Sequence, residues 1–230
     1  MINNFKGGNE LKAVLFDLDG TIIDSEWFYY KGWKAVLEAD YGIQLNTHEW
    51  LTSFAGKTEA QGFRVLQELY GFDGDEERFF QRKKARIAAQ YEEEEVELMP
   101  GVRELVSYLR QEDITMAVVT SSLRPVTEFN LSKKGLLDYF RTLVTRSDVT
   151  HPKPAPEPYE LCIQRLGLEP SQCIVLEDSV TGATAAKAAG LTCYGVQGHE
   201  EVRKGLAVDR LFADLHEVLE FLKTTLYSSR

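Results

Sequence analysis

Cysteine is scarce in this chain. There are three in 230 residues, Cys162, Cys173 and Cys193, an odd count with no close spacing. That pattern does not build a disulfide framework, and each thiol sits among apolar neighbours, so all three read as buried and reduced. No apolar stretch is long enough to span a bilayer. Residues Met1 to Glu10 lack the apolar centre of a signal sequence. They read as a short flexible lead-in, with the cytoplasm as the default location. Positive charge is also in deficit, with 26 Lys and Arg against 36 Asp and Glu, for a net charge of −10. No basic patch stands out, which argues against nucleic acid and anionic membrane as partners. An acidic chain that binds a phosphorylated substrate needs local cations, a metal among them. Two nucleotide signatures are missing as well. No G-x-G-x-x-G follows the first strand, and no G-x-x-x-x-G-K occurs. His48-Glu49 lacks the continuation of a zinc-protease helix and reads as surface.

What is present is organised around Asp17-Leu18-Asp19-Gly20-Thr21. The run before it, Ala13-Val14-Leu15-Phe16, is short and apolar throughout, as in a strand buried on both faces of a parallel sheet. Two carboxylates follow where that strand ends, and residues i and i+2 point the same way while strand geometry lasts. Gly20 lets the backbone turn, and Thr21 is placed to hydrogen-bond local backbone. Seen alone, the stretch also reads as a solvated turn.

From about residue 25 to 97 no strand pattern of any strength occurs. Helical periodicity covers Trp27 to Leu37, Thr58 to Tyr70 and Asp75 to about Tyr91, with Gly42 and Gly71 as stops. The aromatic stripe of Tyr30, Trp33 and Leu37 reads as core, and Glu92 to Glu95 as a solvated helix face. After Pro100-Gly101 the texture changes to alternating helices and buried strands. Strands are expected at Ile114 to Val119, Thr142 to Thr145, Cys173 to Leu176 and Leu191 to Val196. Such alternation argues a parallel sheet with right-handed crossovers.

Four strand ends or nearby loops then carry polar groups on one edge of that sheet: Asp17 and Asp19, Thr120 and Ser121, Lys153, and Glu177 with Asp178. Each has a plain alternative. Thr120-Ser121-Ser122 and Glu177-Asp178-Ser179 also suit helix N-caps, and Lys153 suits a solvated loop. Together they suit one chemistry. Crowded carboxylates repel unless a cation joins them, and oxygen ligands beside a substrate phosphate suit Mg²⁺. A carboxylate can attack phosphorus, and a second one can shuttle the proton.

This set resembles the haloacid dehalogenase superfamily, in the subgroup with a helical cap inserted after the first motif. The resemblance covers nearly the whole chain from about Lys12. It implies an α/β fold: a Rossmann-like doubly wound parallel sheet core over residues 1–24 and 98–230, with an inserted all-helical cap domain over 25–97. It implies Asp17 as nucleophile and metal ligand, Asp19 as general acid/base giving the metal its backbone carbonyl, and Thr120, Ser121 and Lys153 on the phosphate. It places Asp178 on Mg²⁺, with Glu177 a direct or outer contact. The expected activity is Mg²⁺-dependent hydrolysis of small phosphomonoesters, sugar phosphates above all, by a monomer acting on phosphorylated metabolites.

The runner-up is a β-phosphoglucomutase-like mutase. That pattern has a His on the first cap helix and an Arg after a cap-loop Gly, where this chain has Tyr29 and, after Gly56, Glu59. Lys57 could supply part of the missing charge, and Lys57 and Arg124 are further substrate candidates. A noncatalytic phosphate-responsive module is a third reading, disfavoured by the helical insertion and by Asp19.

Overall fold

The computed structural model describes residues 10–54, 57, 59–93, 95–198 and 203–227, and only the backbone at 88, 91–93 and 226–227. Most of the expected lead-in, Met1 to Asn9, lies outside the described residues, as do Gly56 and Thr58 of the cap loop and the side chains of Tyr91 and Glu92 to Glu94. The chain forms two compact units, Met1–Ile23 with Leu98–Arg230, and Asp24–Glu97. Asp24 belongs with the second unit, where its carboxylate caps the first helix through Trp27 N.

The first unit is built on six parallel strands: β1 (Ala13–Phe16), β2 (Thr115–Val119), β3 (Thr142–Val144), β4 (Cys173–Glu177), β5 (Thr192–Val196) and β6 (Arg210–Phe212). Their order is β3-β2-β1-β4-β5-β6. β1 lies at the centre, with Phe16 level with Val118 of β2 and Leu176 of β4. Every residue of β1 and β4 is buried, as the continuous apolar runs require of strands covered on both faces. The strand order reverses between β1 and β4, the place where doubly wound sheets open a crevice beyond their carboxyl ends.

Between the strands run α5 (Val102–Gln111), α6 (Arg124–Lys133), α7 (Glu157–Leu166) and α8 (Val180–Ala188), with α9 (Leu215–Tyr227) at the end. On one face of the sheet, Ala13, Leu15, Val119 and Val175 pack with Tyr159 and Cys162 of α7 and Ala183 and Ala186 of α8. The small side chains of α8 allow that close approach. All three cysteines are free and buried. β6 was not expected. It is three residues long with Arg210 exposed, too short to leave a pattern.

The second unit contains α1 (Ser25–Tyr41), α2 (Thr47–Glu49), α3 (Glu59–Tyr70) and α4 (Glu76–Glu93). α2 runs on as one π-helical turn, Trp50–Phe54, and neither was anticipated. Its start is a reciprocal cap: Glu49 N donates to Asn46 Oδ1 and Asn46 N to Glu49 Oε2. Glu49 is therefore structural rather than loose surface, and it also accepts the Tyr70 hydroxyl at 2.7 Å. The core is aromatic. Trp33 meets Trp50, Phe54 and Phe79 edge-on at centroid distances of 5.2–5.8 Å. Among the described residues no helix is long and apolar enough to cross a membrane.

Candidate active site

The site grows from the end of β1. Asp17 is still tied to the sheet, its N–H donating to Leu176 O. The chain then turns through bonds from Gly20 N to Ile23 O and from Ile22 and Ile23 N to Leu18 O. Gly20 has φ +82°, and a Cβ there would lie 2.2 Å from Asp178 Oδ2. Glycine is thus required twice, for the turn and for the approach of the β4 carboxylate. Thr21 departs from expectation. Its hydroxyl is buried and has no hydrogen-bond partner among the described residues, while backbone groups close the turn among themselves.

Lys153 lies at the centre of the site. Its ammonium donates to Asp17 Oδ1 at 2.6 Å, Glu177 Oε1 at 2.6 Å and Val119 O at 2.9 Å. Those acceptors come from β1, β4 and β2, so one cation joins three neighbouring strand ends. The loop that carries it is clasped by Glu157, which accepts from Thr150 N and His151 N. Asp19 stands apart from this knot. Its Oδ2 accepts from Ser122 Oγ at 2.7 Å and Thr120 Oγ1 at 3.3 Å. The two aspartates of the first motif therefore have different partners, one an ammonium and the other hydroxyls.

Carboxylate oxygens of Asp17, Glu177 and Asp178 lie within 4.8 Å of one another. Burial raises the Asp17 carboxyl to about 8, against the opposing pull of Lys153. Burial and the Asp17 charge push Asp178 well above the usual carboxylate range. The Lys153 pKa is raised too: its burial is outweighed by the charges of Asp17 and Glu177, which hold the ammonium charged. One ammonium cannot keep all the crowded carboxyls ionised in a buried place. An oxygen-only donor set of this kind fits a hard divalent cation, which would bring the carboxyl pKa values down again.

The remaining sequence candidates fall in different places. Ser121 is exposed at the β2 end beside buried Thr120. Arg124 is engaged elsewhere: its guanidinium donates to Asp148, Glu128 and Leu143 O. Lys57 belongs to the helical unit, exposed, with its backbone N bonded to Phe54 O. Glu59 of that unit pairs with Lys83.

Three polar residues at the site went unread. Ser122 suited a helix cap, yet α6 begins after Leu123 without a side-chain cap, and the Ser122 hydroxyl turns to Asp19. Tyr159 fell in the apolar stripe of α7, and its ring is indeed core, but its hydroxyl donates to Glu177 at 3.0 Å. Ser179 does cap α8, accepting from Gly182 N, and also donates to Glu177. Its place directly after Glu177-Asp178 was the signal available.

Comparison with known proteins agrees with this geometry. A family model for haloacid dehalogenase-like hydrolases matches residues 14–196. The chain is 34% identical over 207 residues to validoxylamine A 7'-phosphate phosphatase of Streptomyces hygroscopicus subsp. limoneus, covering 90% of this chain and 95% of that protein. It is 35% identical over 185 residues to the fructose-1-phosphate phosphatase of Escherichia coli, covering 80% and 96%. The crystal structure of a HAD family hydrolase from Deinococcus radiodurans, with bound phosphate and sodium, superposes with a TM-score of 0.80 at 29% identity, over 94% of this chain and 96% of that one. The strand order, the acidic strand ends gathered on Lys153 and these likenesses converge: the chain belongs to the haloacid dehalogenase-like hydrolase family.

Proposed function

We propose that this protein is a Mg²⁺-dependent phosphatase of small phosphomonoesters, sugar phosphates foremost, working through an aspartyl-phosphate on Asp17. The observation that carries the reading is the division of labour at one strand end, with Asp17 against Lys153 and Asp19 held separately by hydroxyls. Asp17 attacks phosphorus, the bond to the leaving oxygen breaks, and Asp19 gives that oxygen its proton. Water then attacks the aspartyl-phosphate, Asp19 takes the water's proton, and the bond from phosphorus to Asp17 breaks, releasing inorganic phosphate. Lys153 offsets charge on the phosphoryl oxygens, Ser121 offers a hydroxyl donor, and Thr120 offers another once its hydroxyl turns from Asp19 to the phosphate. Mg²⁺, held by Asp17, Asp178 and the Asp19 carbonyl with Glu177 in the same acidic group, would supply further charge neutralisation.

Kinship with phosphatases acting on validoxylamine A 7'-phosphate and fructose 1-phosphate supports a polyhydroxylated phosphomonoester as substrate. Such a diffusible metabolite fits a cytoplasmic monomer, the expectation carried over from the sequence.

Hydrolysis rather than mutase chemistry is supported by the helical unit. A mutase must grip the second phosphate of a bisphosphate with cations. Glu59 is an anion, and its partner Lys83 is buried between aromatic faces. The test is incubation with β-glucose 1-phosphate and a trace of the 1,6-bisphosphate, with EDTA controls. Free phosphate as the main product supports the phosphatase. Rapid glucose 6-phosphate with little phosphate would make the protein a mutase, with Lys57 supplying the missing charge.

A further inference from the structure

Glu177 is fully buried, and its carboxylate is saturated by the protein itself. Oε1 accepts from Lys153 Nζ at 2.6 Å and Tyr159 OH at 3.0 Å. Oε2 accepts from Ser179 N at 3.1 Å and Ser179 Oγ at 3.0 Å. Four donors occupy the roughly four lone-pair sites that a carboxylate offers. Gly182 closes the cradle from the α8 side, where a Cβ would fall 1.6 Å from Oε1. The carboxylate can neither swing away nor open an oxygen without giving up a bond.

Tyr159 is the member of this set with no other polar task. Its ring is core, and the Lys153 ammonium lies 5.1 Å from the ring centroid. Burial, reinforced by the Glu177 charge, pushes the phenol well above its ordinary pKa, so it stays protonated and donates. A lysine is a point charge on a flexible stem, and it stays in place only where its acceptors are fixed. Without a fixed Glu177, the ammonium would keep Asp17 as its one carboxylate, beside Val119 O, and hold the nucleophile in a tight ion pair.

We infer that Tyr159 is a positioning residue: its hydroxyl, with Ser179, pins Glu177 so that the carboxylate shares the Lys153 ammonium with Asp17, and Glu177 acts through Lys153 rather than by lending an oxygen to the metal. This rests on the phosphatase reading, in which Lys153 grips the phosphoryl group.

The test is a double-mutant cycle read by calorimetry of inorganic phosphate binding to the Mg²⁺-loaded enzyme, with Mg²⁺ affinity measured separately. Tyr159→Phe keeps the ring and removes only the hydroxyl. It should weaken phosphate binding by about tenfold. Lys153→Met should weaken it further, and the double variant should match Lys153→Met alone, since coupled residues are non-additive. The Mg²⁺ Kd of Tyr159→Phe should stay within about threefold of wild type, because the Tyr159 hydroxyl bonds to Glu177 and to none of the oxygens proposed to hold the metal. Fully additive losses, or a Mg²⁺ Kd raised tenfold or more, would overturn the inference. If Lys153→Met leaves phosphate binding unchanged, the phosphatase reading itself falls and the inference with it. Should Tyr159→Phe fail to fold, Ser179→Ala takes its place in the same cycle, removing one donor from Oε2 while the backbone donor stays.

Discussion

The α/β unit and the helical unit each bury a lysine, with side chains exposed to the same 4%. They hold it in opposite ways. Lys153 has three oxygen acceptors, two of them carboxylates that are themselves buried, and stays firmly charged. Lys83 lies 5.0 Å from the Trp33 centroid and 4.9 Å from that of Phe80. Its carboxylate partner, Glu59, is largely solvent-exposed. Burial pulls the Lys83 pKa down, only partly offset by Glu59. A buried cation amid buried anions cannot be removed without stranding them. A buried cation paired outward can. One unit gathers opposite charges in its interior, and the other packs rings and tolerates charge at its margin.

The largest effect should come from the anion that Lys153 serves. Asp17→Asn should keep the fold and lower turnover of an aryl phosphate by at least about a thousandfold, because an amide cannot attack phosphorus. Circular dichroism and steady-state kinetics on the purified variant check both halves. Lys153→Met should lower turnover by about a hundredfold or more. In the metal-free protein it should also cost about 3 kcal/mol of stability, since Asp17 and Glu177 lose their shared cation. Denaturant titration with and without Mg²⁺ reads the difference, and Mg²⁺ should restore part of the loss.

A smaller effect belongs to Asp148, which ties β3 to α6 and α7. Burial works to raise its pKa. Bonds from Thr145 and Arg165 and the charge of Arg124 overcome that and hold it well below the usual range. A depressed folded-state pKa contributes stability that is present at neutral pH and lost as the pH falls. Wild type should therefore lose stability below about pH 4. Asp148→Asn should be less stable by about 2 kcal/mol at neutral pH, with a flatter acid limb. Thermal melts across that range show it. The smallest effect should be at Lys83. Lys83→Met leaves only the exposed Glu59 unpaired, so stability should stay within about 1 kcal/mol of wild type or rise. A loss as large as that of Lys153→Met would erase the contrast between the two lysines.

The contrast also explains what was legible. The strand before Asp17 and the alternation after Pro100 are local patterns, and all four later strand positions fell within a residue or so of where the apolar runs placed them. Asp17, Thr120, Glu177 and Asp178 sit at or just beyond those strand ends, so topology brings them to one edge, and Lys153 reaches them from the loop between β3 and α7. Ser122 and Tyr159 could not be read that way. Ser122 reaches Asp19 across 103 positions, and Tyr159 carries a core ring that masks the role of its hydroxyl. Lys83 lies on a helix rich in Lys and Arg, where nothing in the local pattern singles it out, and only the folded aromatic cluster buries it. β6 and α2 are three residues each, too short for periodicity to register.

The central claim is that Asp17 carries the phosphoryl group during turnover. Acid quenching of the enzyme with Mg²⁺ and an aryl phosphate in the steady state, followed by peptide mass spectrometry, tests it directly. The account predicts a phosphoryl adduct on the peptide containing Asp17, absent from Asp17→Asn and from EDTA-treated enzyme. An adduct on another residue, or full phosphatase activity retained by Asp17→Asn, would contradict it.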